Sequence, residues 1–576
     1  MRRSFNPGDT MADADFQVAG TNAKALFALL VHRGEGMALL GMNWKKGRPP
    51  RDFVGFAIEY REPGGDRFYP LNNRLGFDPG KLPKEKRSTR LSPLQKFRWV
   101  HFPRNAELEG AFVYRVTPVF MDAAGTLSYG EFQQASLRLA RETYPGALNV
   151  SFTRGFVSSQ AFVDKFGPVD AFPTLLPPDA DLDFEPTHER ADEAFEWMGF
   201  EARRAVLALL DDAVKDTTAE VKVVAYELCV PEVVERLLKL APRLSIIIDD
   251  SAGHADATSA ESLAAARLAK KGAKVARQKM GGLQHNKTIA VGGKVQTVLC
   301  GSTNFSWRGF FVQNNNALVI TGKKAFSVFS AAFDAYLAGG ASGFKKSPVS
   351  KGWQSVSSEV DVKIAFSPHA AEHGLLAEVA EDLDKRTKGS LLYSLAFLYQ
   401  TPGPIRKALK KHTEGKKVFV YGISDKDVND IQVTDPDGSS APVRPAALVK
   451  NVPEPFKAEA KGGSGVRLHH KFIVIDFHTP DARVYLGSYN FSSAADKDNG
   501  DNLVLIRDRR VATSYAIEAV RIFDHYSFRL KQEAAKQQQQ PLVLKRPPPT
   551  GKPTWFDEDW TDSRKARDRT LFCPLK

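Results

Sequence analysis

At 576 residues the chain exceeds what one ordinary hydrophobic core serves, so two to four domains are expected. Apolar residues make up 43% and charged residues 26%, as in a globular protein, and the formal charge of +13 favours an anionic partner, nucleic acid and lipid surface alike. Cys229, Cys300 and Cys573 are too scattered for a disulfide framework or a zinc cluster, no apolar run is long enough to span a membrane, and the start lacks a secretory-type stretch; the expected setting is cytoplasmic, with membrane contact only peripheral.

Residues 1–20 read as a polar arm. Residues 21–175 read as a β-sandwich: GMALLGMNW, DFVGFAIEYRE, GAFVYRVTPVF and ALNVSFTRGFV are strand-like, with PGGD and DAAG as turns between some of them. YGEFQQASLRLARE fits a last strand or a short helix. KLPKEKRSTR, at 81–90, is the best basic patch of this region and reads as a solvated loop or a contact to anionic lipid.

After the Pro/Asp-rich FPTLLPPDADLDFEPT the pattern changes. RRAVLALLDDAVKD has helical periodicity, EVKVVAYELC reads as a strand, VPEVVERLLKLA as a helix and RLSIIIDD as a strand. This alternation predicts an α/β half over 176–350 with a mostly parallel sheet. HGLLAEVAEDLDKR, GSLLYSLAFLYQ, GPIRKALKKHT and KKVFVYGISD repeat the theme, predicting a second similar half over 351–532. Residues 533–576 form a Gln/Pro-rich tail, in which Trp555, Phe556 and Trp560 are expected to dock on the body, since three large aromatics are costly to expose without use.

The two halves share more than periodicity. LQHNKTIAVGG carries His285 and Lys287; LHHKFIVIDF carries His469 and Lys471 at the same spacing. GSTNFS follows the first pair at 301–306 and GSYNFS follows the second at 487–492, contributing Ser302 and Asn304, then Ser488 and Asn490. Fourteen residues beyond each Gly stand Asn315 and Asp501. On an extended chain His and Lys two apart share a side, and polar groups placed in apolar strands need partners or work to do. His470 points to the opposite face and reads as a core or supporting group. His525 and Arg529 of FDHYSFR read as support or as ordinary surface.

These blocks resemble the paired HxKxxxxD motifs of the phospholipase D superfamily, whose members act on phosphodiesters. The resemblance covers about 190–530. It implies two halves packed about a pseudo-twofold axis with both histidines facing one phosphorus centre. One neutral imidazole then attacks phosphorus to give a phosphohistidine, while the other, as imidazolium, protonates the leaving oxygen. Lys287 and Lys471 would stabilise charge on the phosphoryl oxygens, Asn304 and Asn490 would fix oxygens through their amides, and Ser302 and Ser488 would assist or form turn bonds. The chemistry asks for no cofactor and no metal. Spacing pairs Asp501 with His469 and Asn315 with His285, which makes His285 the nucleophile and His469 the acid and later the base. The motif aspartate is present as Asp476 in the second block, in a supporting role, and is replaced by Gly292 in the first.

The expected activity is phospholipase D-type hydrolysis of phospholipid head groups by a monomer, with transfer to another alcohol open to the same intermediate. Acyl chains would need apolar surface, for which Leu395, Phe397, Leu398, Tyr399 and the GFF of 309–311 are candidates. A nuclease or DNA-end phosphodiesterase is the alternative that the positive charge allows, although no basic run interleaved with aromatics marks a strand-binding groove. A non-catalytic phosphate-binding scaffold is the third reading.

Overall fold

The computed structural model describes residues 16–575, except 79, 104, 140–141, 156–161, 163–164, 167–174, 177–179, 416, 426–467 and 562. The chain divides into two compact units. One comprises residues 1–141 and 528–576; the other lies within 142–527.

The first unit is a two-sheet β-domain. Gln17–Ala19, Phe27–Gly34, Met37–Trp44 and Arg98–His101 form one antiparallel sheet. Tyr69–Pro70, Phe53–Arg61, Ala111–Met121, Leu127–Tyr129 and Gln133–Arg138 form the other. Alternation drives the layering: in Gln133–Arg138 the first, third and fifth residues are buried and the others exposed, so YGEFQQASLRLARE supplies a strand and not a helix. Phe27, Leu29 and Val31 of one sheet meet Phe56, Ile58, Phe112 and Tyr114 of the other in a common core. The tail completes this core. Phe556 is buried in it, Trp555 stacks on Phe97 and donates its indole N–H to the Phe53 carbonyl at 3.0 Å, and Trp560 donates to the Gly47 carbonyl at 3.0 Å. Trp560 lies in the helix Glu558–Thr561, and Arg569 of the helix Ser563–Phe572 sits over its ring, 4.2 Å from the centroid. The tail aromatics thus dock as their size required.

The second unit holds two seven-stranded α/β halves. The first sheet runs Leu148–Phe152, Asn316–Thr321, Thr297–Gly301, Lys287–Gly292, Glu220–Ala225, Leu244–Asp249, Lys274–Gln278. The second runs Gln354–Ser355, Asp361–Ser367, Asp501–Arg507, Arg483–Gly487, Lys471–Ile475, Ser390–Leu395, Phe419–Ser424. The expected α/β duplication is present, but the sheets are mostly antiparallel. Parallel pairing of these strands is confined to Leu244–Asp249 with its two neighbours Glu220–Ala225 and Lys274–Gln278, and to Ser390–Leu395 with Phe419–Ser424. Those strands are joined by the helices Pro231–Leu240, Ala260–Lys270 and Pro404–Glu414, long enough to cross back over a sheet. The motif strands are followed by short turns, and a short turn only permits a hairpin.

A second difference concerns the strand Leu148–Phe152. Its alternating sequence placed it in the N-terminal sandwich, yet it pairs antiparallel with Asn316–Thr321 as the edge of the first α/β sheet. It occupies the place that Asp361–Ser367 takes beside Asp501–Arg507 in the second half. Both motif strands, KTIAVG and KFIVI, are buried along their whole length. The helix Lys323–Phe344 covers its sheet with Phe326, Phe329, Phe333 and Tyr336, spaced along one face.

Candidate active site

Each motif histidine stands just before its strand, where the chain of one half runs beside the chain of the other. Gln284 bridges to Gly500 and Asn314 bridges to Leu468, both in parallel sense. The Gly500 N–H donates to the Leu283 carbonyl at 2.8 Å and the His469 N–H to the Asn314 carbonyl at 3.1 Å. These paired backbone contacts bring the two half-sites into one buried cluster.

They also decide which side chain holds which imidazole. His285 Nδ1 donates to Asp501 Oδ1 at 2.8 Å, and His469 Nδ1 donates to Asn315 Oδ1 at 2.9 Å and to the Ser302 carbonyl at 3.1 Å. Sequence spacing paired these residues within each half; the structure exchanges them between halves. Ser488 Oγ donates to Asp501 Oδ1 at 2.6 Å, and Ser302 Oγ to Asn315 Oδ1 at 2.8 Å, so both serines fix the groups that fix the histidines. An acceptor at each Nδ1 selects the tautomer that leaves Nε2 unprotonated and available.

The residues after the histidines repeat the exchange one step deeper. Asn502 donates to Asn286 Oδ1 at 2.9 Å, and Asn316 Nδ2 lies 3.4 Å from His470 Nδ1. His470 is fully buried, as its strand position implied, and its Nε2 donates to Glu518 Oε1 at 3.2 Å. Arg521 also pairs with Glu518 and, against burial, helps hold that carboxyl near 2.

Charge in the cluster is lopsided. His285, Lys287, His469 and Lys471 are all buried, with Asp501 as the carboxylate in direct contact with an imidazole. Burial, and then the Lys287 charge, push His285 down to about 4; burial pushes Lys287 down to about 7. Burial drives His469 and Lys471 well below their ordinary values, and each also feels the charge of Lys287 from the other half. Each lysine ammonium donates to the carbonyl of the histidine two residues before it. A site that crowds cationic groups and strips them of water gains most when an anion enters.

Asn304 Oδ1 and Asn490 Oδ1 are buried without a hydrogen-bond partner among the described residues, as is Asp501 Oδ2. The two amides, one from each GSxN segment, are therefore free to turn toward a ligand. Aromatic walls flank the cluster. Tyr226 lies edge-on to His285 with ring centroids 4.8 Å apart and 4.6 Å from the Lys287 ammonium; Phe397 lies edge-on to His469 at 6.2 Å and 5.5 Å from that of Lys471. Of the apolar candidates, Phe397 and Tyr399 are half-buried, whereas Leu395, Leu398, Phe310 and Phe311 belong to the core. Tyr226 was missed from the sequence: it directly follows Ala225, the partner of Lys287, whereas Phe397 stands two residues beyond Leu395, the partner of Lys471, so the two rings are offset by one residue in the repeat.

Asp476 stands outside the cluster. At φ 50 it turns the chain after its strand and accepts the backbone N–H groups of Lys388, Gly389 and Ser390 at 2.7–2.9 Å. In the first half this bracing comes from the opposite side: Asp216, before the strand Glu220–Ala225, accepts the Lys294 N–H at 2.7 Å after the motif strand. Trp307 is likewise structural, donating to the Asp181 carbonyl at 2.8 Å. Among the described residues no group of three or more His, Cys, Asp or Glu side chains is placed to hold a metal ion.

The family described as "Cardiolipin synthase, PLD-like domain" matches residues 210–337 and 383–523, the two stretches that carry this cluster. A phospholipase D of Rickettsia felis is 47% identical over 47 residues, 8% of this chain and 22% of that protein; the chain thus spans about a fifth of the curated relatives it matches. Among solved structures, phosphatidylserine synthase of Haemophilus influenzae is 15% identical, with 59% of this chain and 92% of that chain covered and a TM-score of 0.39. A phospholipase D family member, Nuc of Salmonella typhimurium, is 25% identical, with 24% of this chain and 88% of that chain covered and a TM-score of 0.21. By the family match over residues 210–337 and 383–523, a phospholipase D-like domain of the HKD superfamily is present in this chain.

Proposed function

We propose that the protein is a phosphodiesterase working through a phosphohistidine, and that its substrates are phospholipids. The observation behind the chemistry is the crossed pair of Nδ1 bonds, which leaves two Nε2 atoms free in one cation-rich pocket. His285 is the nucleophile. Its Nε2 attacks phosphorus and the bond to the leaving oxygen breaks. The ring then carries a positive charge and an Nδ1–H, both compensated by Asp501. This reason replaces the one that spacing suggested, since the amide-backed imidazole is His469. Entry of the phosphodiester anion raises the proton affinity of His469, whose Nε2 takes up a proton with the substrate; with no carboxylate to stabilise it, this imidazolium is a strong acid and delivers that proton to the leaving oxygen. Neutral again, it takes a proton from water, or from an alcohol, as that oxygen attacks phosphorus and the P–N bond breaks. Lys287 and Lys471 bear on the nonbridging oxygens, and Asn304 and Asn490 donate to them.

Two features support the lipid assignment. The matching family and the curated relatives carry lipid-acting descriptions, cardiolipin synthase and phospholipase D. Phe397 and Tyr399, half-buried, offer apolar surface at the second half-site. The membrane contact we propose is a peripheral one. Among the described residues no helix is long and apolar enough to cross a membrane. The net charge of +13 would suit an anionic surface.

The test is product analysis on phosphatidylcholine and phosphatidylethanolamine with ethanol present, run beside single- and double-stranded DNA, with and without EDTA. Phosphatidylethanol formed in EDTA is the expected result. DNA cleavage without lipid turnover would replace the substrate by nucleic acid, and neither product would leave a phosphate-binding scaffold.

A further inference from the structure

A third histidine stands beside this cluster. His254 Nδ1 donates to Asp249 Oδ2 at 2.8 Å, the arrangement that Asp501 gives His285. Asp249 is wholly buried, and its other oxygen accepts the Gln284 N–H at 2.6 Å, one residue before His285. One carboxylate therefore sets both the His254 ring and the backbone that carries the nucleophile. Tyr226 lies between the two rings, edge-on to each, 4.7 Å from His254 and 4.8 Å from His285.

The loop bearing His254 is built to hold it. Arg277 donates to the His254 carbonyl at 2.7 Å, to the Asp249 carbonyl at 2.9 Å and to Ser262 Oγ at 2.8 Å, and Ser259 Oγ donates to the His254 carbonyl at 2.7 Å. With Nδ1 committed to Asp249, Nε2 is the reactive nitrogen, and among the described residues it makes no hydrogen bond. The side chain retains 14% exposure, against 5% for His285. The nucleophile mechanism has no use for this ring.

We propose that His254 binds a second phosphate group of the substrate, one aromatic ring away from the scissile phosphodiester. This rests on the phosphodiesterase reading and extends it to specificity: the protein prefers substrates that carry a further phosphate beside the bond it cleaves. Adjacent phosphates of a nucleic acid and a phosphorylated lipid head group share this chemistry.

The surroundings keep the ring cationic. Burial works against the proton, but the bond to Asp249 and the charges of Glu261 and Glu227 outweigh it and raise His254, while burial lowers His285, His469 and His470. The other charged groups facing the loop are Arg277 and its partner Asp250, 3.1 Å apart. Tyr226 stays neutral, raised by burial and by Glu227.

The test compares substrates that differ by one phosphate: thymidylyl-thymidine with and without a 5′-phosphate, and phosphatidylinositol with and without a 4-phosphate. At pH 6.5 His254→Gln should lower the ratio of kcat/KM for the richer over the poorer substrate about tenfold, through KM, in whichever arm is turned over. That arm names the source of the phosphate. His254→Lys, which keeps a cation, should recover part of the ratio. An unchanged ratio in His254→Gln, or no recovery in His254→Lys, overturns the proposal. If neither arm is turned over, calorimetry decides the proposal independently of turnover, while the phosphodiesterase reading stands or falls on its own product analysis. Pyrophosphate should then bind the wild type about tenfold more tightly than His254→Gln, with orthophosphate affinity similar in both; equal pyrophosphate affinities would overturn it.

Discussion

The ring of Phe326 occupies the space beside Gly292 that any side chain there would need: a Cβ at this position would overlap the ring edge. Phe326 belongs to the first turns of the helix Lys323–Phe344, which lies on the sheet containing Gly292. An aspartate at 292 therefore has no room in this half, and Asp216 supplies the turn's carboxylate from the other strand of the antiparallel pair. Gly292→Asp, which would complete the motif by sequence, should instead destabilise the protein by about 3 kcal/mol or more, combining overpacking with an unpaired buried charge. Thermal unfolding checks this. A variant as stable as the wild type would mean that the helix yields easily and that the ring does not set the residue.

The proposed division of labour between the histidines predicts where the covalent intermediate sits. In His469→Gln the acid and base are lost, but a substrate with a p-nitrophenolate leaving group departs without a proton. The first step then continues while attack by water slows about 10²–10⁴-fold. A phosphoryl adduct should accumulate on His285 and be found there by mass spectrometry after an acid-free quench. An adduct on residue 469 in the wild type, with none on His285, would reverse the roles.

Asp501 should matter more than Asn315, because only its charge answers the phosphorylated ring. Asp501→Asn keeps the shape and can still accept from Ser488, but loses that charge and admits the wrong imidazole tautomer. Its kcat should fall about 10²–10⁴-fold with the fold intact. Asn315→Asp should cost far less turnover and shift the alkaline limb of the pH–rate profile upward, since a carboxylate raises the proton affinity of His469 and keeps the acid protonated to higher pH. Equal losses in both variants would show that the two partners merely position the rings.

The duplicated His-Lys pairs were legible in the sequence because their spacing is local. His285 with Lys287 and His469 with Lys471 are fixed by strand alternation, and the repeat marks them against background. Partner choice was not legible, because the contacts of Gln284 with Gly500 and of Asn314 with Leu468 join residues far apart in the chain. Direction of pairing failed for a related reason. The βαβ pattern is real over Glu220–Lys270, but hairpins around the motif strands outnumber the crossovers. Leu148–Phe152 shows the same limit: an alternating edge strand carries no label for the sheet it joins. His254 gave no signal at all, since a lone histidine in a polar loop acquires meaning only through Asp249 and Tyr226.

The buried lysines carry a stability cost. Lys287 is pushed down to about 7 by burial, from an ordinary value of 10.5. A group whose folded value is depressed binds fewer protons in the folded state, so its penalty is absent above the unfolded value, grows as pH falls, and is complete below about 7. Lys287→Met removes the buried charge at similar volume. The variant should unfold at a higher temperature than the unliganded wild type at pH 6.5, by about 1 kcal/mol or more, and this advantage should shrink as pH rises toward 10. Inorganic phosphate should stabilise the wild type more than the variant, because the anion restores the ammonium. Turnover should move the other way, falling about 10²–10³-fold with the loss of one cation at the phosphoryl oxygens. A Lys287→Met protein less stable than the wild type at pH 6.5 would mean that the ammonium is already well compensated, and an anion would then not be what the pocket is arranged to receive.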